Sequence, residues 1–302
     1  MNATATHRWM LLASLAALCA APIGCEARSE TGAVADSGQV KLIRDALLGE
    51  GAGEAAADEP HGTGWATLKG KFTFDGDPPT MPPYDVNKDQ ATCAPGGQAP
   101  PQEWLVVDDA TRGIANIAIY ARNVSRVHDS AQPGEEPLVF DQENCVFLTH
   151  VMGLTVGTPV NIKNSDPVGH NTKIDGQNSF NQTIPADGVV PWSAQREEAN
   201  PVGVHCSIHP WMLAYMLPRK NGYYAITAKD GAFEIANLPA GEEVEIQVWH
   251  ERGGGSSGAL VVETDAGKEL KWDRKGRIKI KLDENETREI NIAVPASAFR
   301  AG

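Results

Sequence analysis

From Trp65 onward the sequence consists of short runs of β-branched and aromatic residues separated by glycine and proline, with no sustained helical periodicity. Examples are residues 114–120, 146–151 and 160–162. Runs of this length and composition are typical of strands in β-sandwiches and barrels. The pattern therefore predicts an all-β fold for this part of the chain.

A second block of strands begins near Tyr224. Residues 225–228 and 233–235 flank Asp230-Gly231, a pair that is typical of a hairpin turn. Residues 244–248 then alternate apolar and polar side chains, which indicates a strand with one buried face. The same alternation recurs at residues 278–282 and 290–294. We expect a small all-β module here.

The N-terminus has the pattern of an export signal. An apolar run over residues 9–23 follows His7 and Arg8, and it is too short to span a bilayer comfortably. The sequence Ile23-Gly24-Cys25 resembles the lipobox of bacterial lipoproteins, which implies a lipid anchor on Cys25. Pro22 departs from that pattern, so an ordinary signal-peptidase cut stays open. We expect a signal peptide over residues 1–25 and an exported protein of the periplasm or cell envelope.

The composition of the segment after the signal and the overall charge limit the classes of partner that this chain can bind. Residues 26–63 are rich in alanine, glycine and acidic residues and lack aromatic residues, which predicts a flexible linker. The chain has 26 basic and 39 acidic residues, a formal net charge of −13, which repels the phosphate backbone of nucleic acids. We expect no nucleic-acid partner, and membrane contact only through the lipid anchor.

Five cysteines remain to be assigned. Cys19 lies inside the signal and Cys25 is the candidate anchor. An exported protein should pair two of the other three, and Cys93 and Cys145 have no metal-ligand spacing around them. We therefore predict a disulfide between Cys93 and Cys145, which leaves Cys206 free.

The most chemically informative stretch surrounds that free cysteine. Cys206, His209 and Met212 follow the spacing Cys-x2-His-x2-Met and offer a thiolate, an imidazole and a thioether. This mixture suits an ion that cycles between Cu(I) and Cu(II), because soft sulfur ligands favour Cu(I) and imidazole serves both states. A thioether makes zinc a poor fit. His170, in the segment 164–171 that follows the predicted strand at residues 160–163, supplies a second imidazole.

The two motifs together resemble the cupredoxins, and the short loop is most similar to amicyanin and plastocyanin-like proteins. The resemblance covers about residues 104–224. It implies a Greek-key β-sandwich that binds one type 1 copper through His170, Cys206, His209 and Met212. It also implies that Asn171 hydrogen-bonds between the two ligand segments.

The module at the C-terminus resembles the carboxypeptidase-regulatory, transthyretin-like sandwiches of bacterial surface proteins. The resemblance rests on residues 230–233, 238–241 and 249–251, and residues 70–79 look like the first strand and turn of such a unit. We predict a copper-binding domain with an N-terminal extension over residues 64–224 and a second sandwich over residues 225–302. The residues at 70–79 leave open that the first domain is inserted into the second.

His205 raises the question of a second copper, since nitrite reductases and multicopper oxidases use the histidine beside the thiolate in that way. Those enzymes need further paired histidines. The remaining histidines form no His-x-His pair and are scattered: His7, His61, His128, His150 and His250. We therefore interpret His205 as an ordinary strand residue and expect a non-enzymatic protein.

Three functions remain open for this chain. The first is a one-electron carrier or redox relay, with a partner protein docking near a solvent-near His209 and Trp211. The second is a protein that captures and delivers copper with the same ligands. The third is a surface interaction protein with a non-redox role.

Overall fold

The computed structural model describes residues 62–262 and 270–300. This part of the chain contains strands β1 to β16 and one four-residue helix, α1 (Gln90–Cys93), which confirms the predicted all-β class. None of the described helices is long and apolar enough to cross a membrane. The predicted signal peptide, the anchor Cys25 and residues 26–61 of the predicted linker lie outside the described residues.

Seven strands form what we call the flanking sandwich. One of its sheets has the order β13-β1-β16 and the other β12-β2-β14-β15. The strands are β1 (Trp65–Asp75), β2 (Ala118–Ala121), β12 (Tyr224–Ile226), β13 (Ala232–Pro239), β14 (Glu243–Trp249), β15 (Arg277–Lys281) and β16 (Thr287–Pro295). β1 runs antiparallel to β13 and parallel to β16. Alternate residues of β1, among them Leu68 and Phe72, are buried in one apolar core with Ile246 of the opposite sheet.

The other nine strands form the middle sandwich. Its sheets have the orders β5-β11-β10-β7-β8 and β4-β3-β6-β9. The strands are β3 (Leu138–Glu143), β4 (Val146–Phe147), β5 (Val151–Thr155), β6 (Pro159–Asn164), β7 (His170–Ile174), β8 (Phe180–Ile184), β9 (Val189–Ser193), β10 (Val202–His205) and β11 (Leu213–Arg219). Phe140 and Ile162 of one sheet share a buried core with Val204 and Met216 of the other.

The sheets divide the chain differently from the predicted domains. β1 and β2 precede the middle sandwich in sequence, yet they pair with β13, β16, β12 and β14, which follow it. The predicted boundary between residues 224 and 225 falls inside β12. The described strands after residue 224 share their sheets and their apolar core with β1 and β2, so the middle sandwich is inserted into the flanking one.

The two sandwiches touch through a small apolar cluster. Ala118 and Tyr120 of β2 and Trp249 of β14 pack against Val151 and Leu217 of the middle sandwich. The cluster joins strands from both cores, which ties the position of one sandwich to that of the other.

The buried Arg219 side chain reinforces this junction. It donates hydrogen bonds to the carbonyls of Glu198 and Ala121 at 2.8 Å. Its guanidinium carbon also lies 4.7 Å from the ring centre of Tyr120. A charged group that is buried needs partners of this kind.

Two local predictions differ from the structure. The run at residues 146–151 is not one strand, because β4 pairs with β3 and β5 pairs with β11 in the other sheet. A turn forms at Asp230-Gly231, where the N–H of Gly231 donates to the carbonyl of Ala228 at 2.9 Å. The strands on either side of it do not form a hairpin, since β12 and β13 belong to different sheets.

The disulfide between Cys93 and Cys145 is confirmed, with Cα atoms 5.0 Å apart. It joins the segment before β2 to the turn between β3 and β4. Cys206 is free and buried.

Candidate metal centre

The loop from Cys206 to Met212 connects β10 to β11, which are antiparallel neighbours. The N–H of Cys206 donates to the carbonyl of Met212 at 3.3 Å, and the N–H of Met212 donates to the carbonyl of His209 at 3.0 Å. The N–H of His209 points back to the sulfur of Cys206 at 3.4 Å. The spacing Cys-x2-His-x2-Met thus closes a compact loop that turns its three side chains inward.

β7 begins with His170 and brings it to the same place. β7 and β10 are antiparallel, with Lys173 opposite His205, so the start of β7 lies beside the loop that follows β10. The N–H of Asn171 donates to the sulfur of Cys206 at 3.3 Å, and the Asn171 carboxamide oxygen accepts the N–H of Ser207 at 3.2 Å. Asn171 therefore joins the two segments through these hydrogen bonds.

Three of the four predicted ligands meet in the interior. The Nδ1 atoms of His170 and His209 are 2.9 Å apart, and the sulfur of Cys206 is 3.9 Å from Nδ1 of His209. One ligand atom from each residue lies within 4.8 Å of those of the other two, and all three residues are buried. Met212, the fourth, is buried in the same apolar cluster as Cys206.

Two carboxylates hold the outer nitrogens of the imidazole rings. Nε2 of His170 is 2.7 Å from Oδ2 of Asp166, and Nε2 of His209 is 2.8 Å from Oδ2 of Asp89. The buried Asp166 also accepts the N–H groups of Asn144 and Cys145, at 2.7 and 2.8 Å. A carboxylate on the far nitrogen of a ligating histidine fixes its tautomer and ring orientation.

The electrostatics of the site favour an ionised sulfur. Burial acts to raise the pKa of Cys206, but hydrogen bonds from His170 and from the N–H groups of Asn171 and His209 outweigh it and lower the pKa. Burial acts to lower the pKa of His170, but its hydrogen bonds with Asp166 and Cys206 prevail and raise the pKa to about 9. A thiolate is the form of cysteine that binds metals.

The pair of Nδ1 atoms shows that a cation fits here. With both Nε2 atoms donating to carboxylates, two lone pairs would face each other at 2.9 Å, and one proton or one metal ion between them removes the repulsion. Burial and the charge of His170 lower the pKa of His209, against the pull of Asp89. His209 is thus available as a neutral ligand.

The surroundings of His209 differ from the expectation. Its side chain has 0% exposure, so the prediction of a ring near solvent is wrong. Asp89, from the segment before β2, covers the outer edge of the ring. The ring of the half-buried Trp211 packs against the His209 ring, with ring centres 5.1 Å apart. The indole N–H of Trp211 donates to the carbonyl of Cys145 at 3.0 Å.

The other candidate histidines lie outside this cluster. His205 is the last residue of β10, and its side chain is 45% exposed and pairs with Asp175 at 3.1 Å. His150 is buried just before β5, and its ring contacts the carboxylates of Glu251 and Glu103.

Sequence reasoning missed Asp89 and Asp166. Asp166 lies four residues before His170, in the turn between β6 and β7, and that spacing is a usable signal. Asp89 is 120 residues from His209 and belongs to no motif, so no local pattern indicates it.

Comparison with known proteins gives matches among solved structures only: no family model and no curated protein matches the chain. Cu-containing nitrite reductase (NirK) from Thermus scotoductus SA-01 is 18% identical over 29% of this chain and 25% of its own, with a TM-score of 0.27. Amicyanin from Paracoccus versutus is 17% identical over 33% of this chain and 97% of its own, with a TM-score of 0.25. A purple cupredoxin from Nitrosopumilus maritimus is 20% identical over 28% of this chain and 100% of its own, with a TM-score of 0.24. The structural neighbours of this chain are thus cupredoxins, each matching about a third of it or less.

Proposed function

We propose that this chain is an exported type 1 copper protein that acts as a one-electron carrier or redox relay at the cell envelope, and that it is not an enzyme. The observation that carries the proposal is the convergence of two buried imidazole Nδ1 atoms and one buried sulfur. His170, Cys206 and His209 would hold the ion, with Met212 as a weak fourth ligand. Copper supplies a one-electron couple when it is bound in such a set.

The rigidity of the surroundings supports electron transfer. Asp89 and Asp166 fix the two rings, while two backbone N–H groups, from Asn171 and His209, point at the sulfur. Ligands that are held in this way change position little when the charge of the ion changes. Hydrogen bonds to the sulfur also tune the reduction potential.

Copper capture and delivery is the competing proposal, since it uses the same ligands. Burial of all three donors favours retention of the ion over rapid exchange. The copper dissociation rate and the electron self-exchange rate separate the two functions. A carrier combines slow dissociation with fast self-exchange, and a delivery protein shows the reverse.

An optical titration tests the copper site. We expect the purified chain to bind one equivalent of Cu(II) with an intense visible band from the thiolate, and Cys206→Ser to lose that band. His205→Ala is the matched control, because this neighbouring histidine is exposed and should leave the band intact. A wild-type protein that binds copper without the band would contradict the proposed site.

We place the docking surface of the redox partner at the half-buried Trp211, whose ring contacts that of His209. Trp211→Ala should slow electron transfer to the partner while the copper content stays at one equivalent.

We also propose that the flanking sandwich is a transthyretin-like module that carries the copper domain and supplies no ligand to it.

The proposed location rests on Cys25 and the apolar run before it. We expect the protein in the membrane fraction of the cell envelope, and Cys25→Ser should move it to the soluble fraction. A protein that stays soluble with Cys25 intact would favour the ordinary signal-peptidase cut.

A further inference from the structure

The side chain of Asp89 departs from the usual behaviour of a helix-capping aspartate. It is the N-cap of α1, and its carbonyl accepts the N–H groups of Thr92 and Cys93 at 2.9 Å. An aspartate at this position normally uses its carboxylate to accept an N–H of the first turn. Here the side chain makes no capping hydrogen bond. The backbone is also left-handed, with φ of 46°, a region that residues other than glycine adopt rarely.

The carboxylate is turned instead to the metal centre. Its Oδ2 lies 2.8 Å from Nε2 of His209, whose side chain is fully buried, while the side chain of Asp89 is 39% exposed. Asp89 therefore stands between the outer edge of the imidazole and solvent. Asp89 has a left-handed backbone, and its side chain contacts His209 instead of forming the usual capping hydrogen bond. This combination points to a functional role for the contact with His209.

The segment that carries Asp89 is held in place on both sides. Cys93, four residues later, is bonded to Cys145, and both sulfurs lie within 4.8 Å of a ring nitrogen of His209. On the other side, Val86 packs against the core of the middle sandwich. The ammonium of Lys88 lies 3.5 Å from the carbonyl of Ile208, on the ligand loop itself. Asp89 is thus fixed relative to the loop by contacts other than its own.

We propose that Asp89 is a positioning residue for His209. It accepts the proton on Nε2, which leaves Nδ1 as the nitrogen that faces Cys206 and His170, and it closes the ring off from solvent. The pair Asp89–His209 then mirrors the pair Asp166–His170, so both imidazoles are oriented by a carboxylate. This inference rests on the proposed copper site and deepens it.

Three variants of the full chain test the proposal. Asp89→Ala removes the acceptor. Asp89→Asn keeps an oxygen that can accept the Nε2 proton, and it preserves the size of the side chain. Asp85→Ala removes the same charge from an exposed position on the same segment and is the matched control.

The first measurement needs no copper. The ¹⁵N shifts of the His209 ring in the metal-free protein report which nitrogen carries the proton. We expect the Nε2-protonated tautomer in the wild type, in Asp89→Asn and in Asp85→Ala, and a mixture of tautomers in Asp89→Ala. Retention of the single tautomer in Asp89→Ala would overturn the proposal.

The second measurement is copper affinity by competition with a chelator. Loss of a partner of this kind weakens metal binding about 10- to 100-fold, which we expect for Asp89→Ala. Asp89→Asn should keep most of the wild-type copper affinity, and Asp85→Ala should keep all of it. Unchanged affinity in Asp89→Ala, or an equal loss in Asp85→Ala, would overturn the proposal. Failure of the wild type to bind copper would instead reject the proposed function, so the two failures are distinguishable.

Discussion

At the scale of single residues, the character of the site follows from which atoms already have partners. Asp89 and Asp166 occupy the Nε2 atoms of the two imidazoles, so only the Nδ1 atoms remain for an ion. The sulfur of Cys206 receives N–H groups from the residues on either side of the cluster. The donors are therefore oriented before any ion arrives.

Met212→Leu tests the weakest of the four ligands. Leucine nearly conserves the volume, so we expect a stability cost below about 1.5 kcal/mol. The visible band should remain, and the reduction potential should rise because replacing a weak axial donor with an apolar side chain disfavours the more highly charged Cu(II). Voltammetry of the copper-loaded protein measures the change. Met216→Leu, at a buried position on β11, is the control and should leave the potential unchanged.

Asn171→Ala tests the link between the two ligand segments. Its carboxamide bonds to the N–H of Ser207, the side chain of Asn181 and the carbonyl of Gln182. We expect a loss of about 1–3 kcal/mol in the free energy of unfolding, because two part-buried hydrogen bonds to the backbone are lost at about 0.5–1.5 kcal/mol each. Urea denaturation of the metal-free protein measures it. Asn181→Ala should cost less, and equal losses would argue against the linking role.

The ligand loop could be predicted from the sequence because its three side chains lie within seven residues. His170 required a second motif and the resemblance to a family. Asp89 could not be predicted, since its contact with His209 depends on a disulfide-bonded segment that folds over the loop. Local patterns indicate residue chemistry, whereas such a contact depends on the folded chain.

At the scale of elements, the disulfide matters most for the segment that covers the site. Cys93 and Cys145 are 52 residues apart, and closing a loop of that length stabilises the folded state by about 4 kcal/mol in the chain-entropy model. We expect the double variant Cys93→Ser, Cys145→Ser to lose up to that amount in urea denaturation. A variant as stable as the wild type would show that the bond adds nothing beyond the packing of α1.

The strands with strict alternation were the easiest elements to predict. Residues 244–248, 278–282 and 290–294 correspond to β14, β15 and β16, with boundaries that differ by at most three residues. The prediction of one strand over residues 146–151 was wrong because the two ends of this run pair with strands of different sheets. Alternation tells which side chains face a core, but the choice of partner strand is a long-range property.

At the scale of the whole molecule, the insertion decides how the parts depend on each other. β1 and β16 pair in parallel although they come from opposite ends of the described chain. The flanking sandwich therefore requires the segments before and after the middle sandwich to pair with each other. The resemblance of residues 70–79 to the first strand of the flanking sandwich left this insertion open. The periodicity of the sequence could not establish that β1 pairs with β16.

The buried His250 of the flanking sandwich should make stability depend on pH. Burial, with the charges of His150 and Arg252, lowers the pKa of His250 to about 3, and its Nδ1 accepts the N–H of Arg252 at 3.1 Å. The unfolded chain binds this proton below about pH 6.5, and the native state does so only near pH 3. The stabilisation is therefore complete above pH 6.5 and is lost as the pH falls, by up to about 1.4 kcal/mol per unit.

Unfolding of the metal-free protein at pH 7 and pH 5 measures this dependence. His250→Gln cannot take up the proton, so its stability should fall less between the two values than that of the wild type. His128→Gln, at a position where the ring contacts Trp65 and Ser130, serves as a comparison and should follow the wild type. Parallel curves for His250→Gln and the wild type would contradict the prediction.

The central claim is that two imidazoles and one thiolate of this chain bind a single copper ion. Anomalous diffraction at the copper edge, from crystals of the copper-loaded full chain, tests it most directly. We predict one strong peak in bonding contact with Nδ1 of His170, Nδ1 of His209 and the sulfur of Cys206. A peak bound elsewhere on the protein, with these three atoms still in contact with one another, would contradict the account.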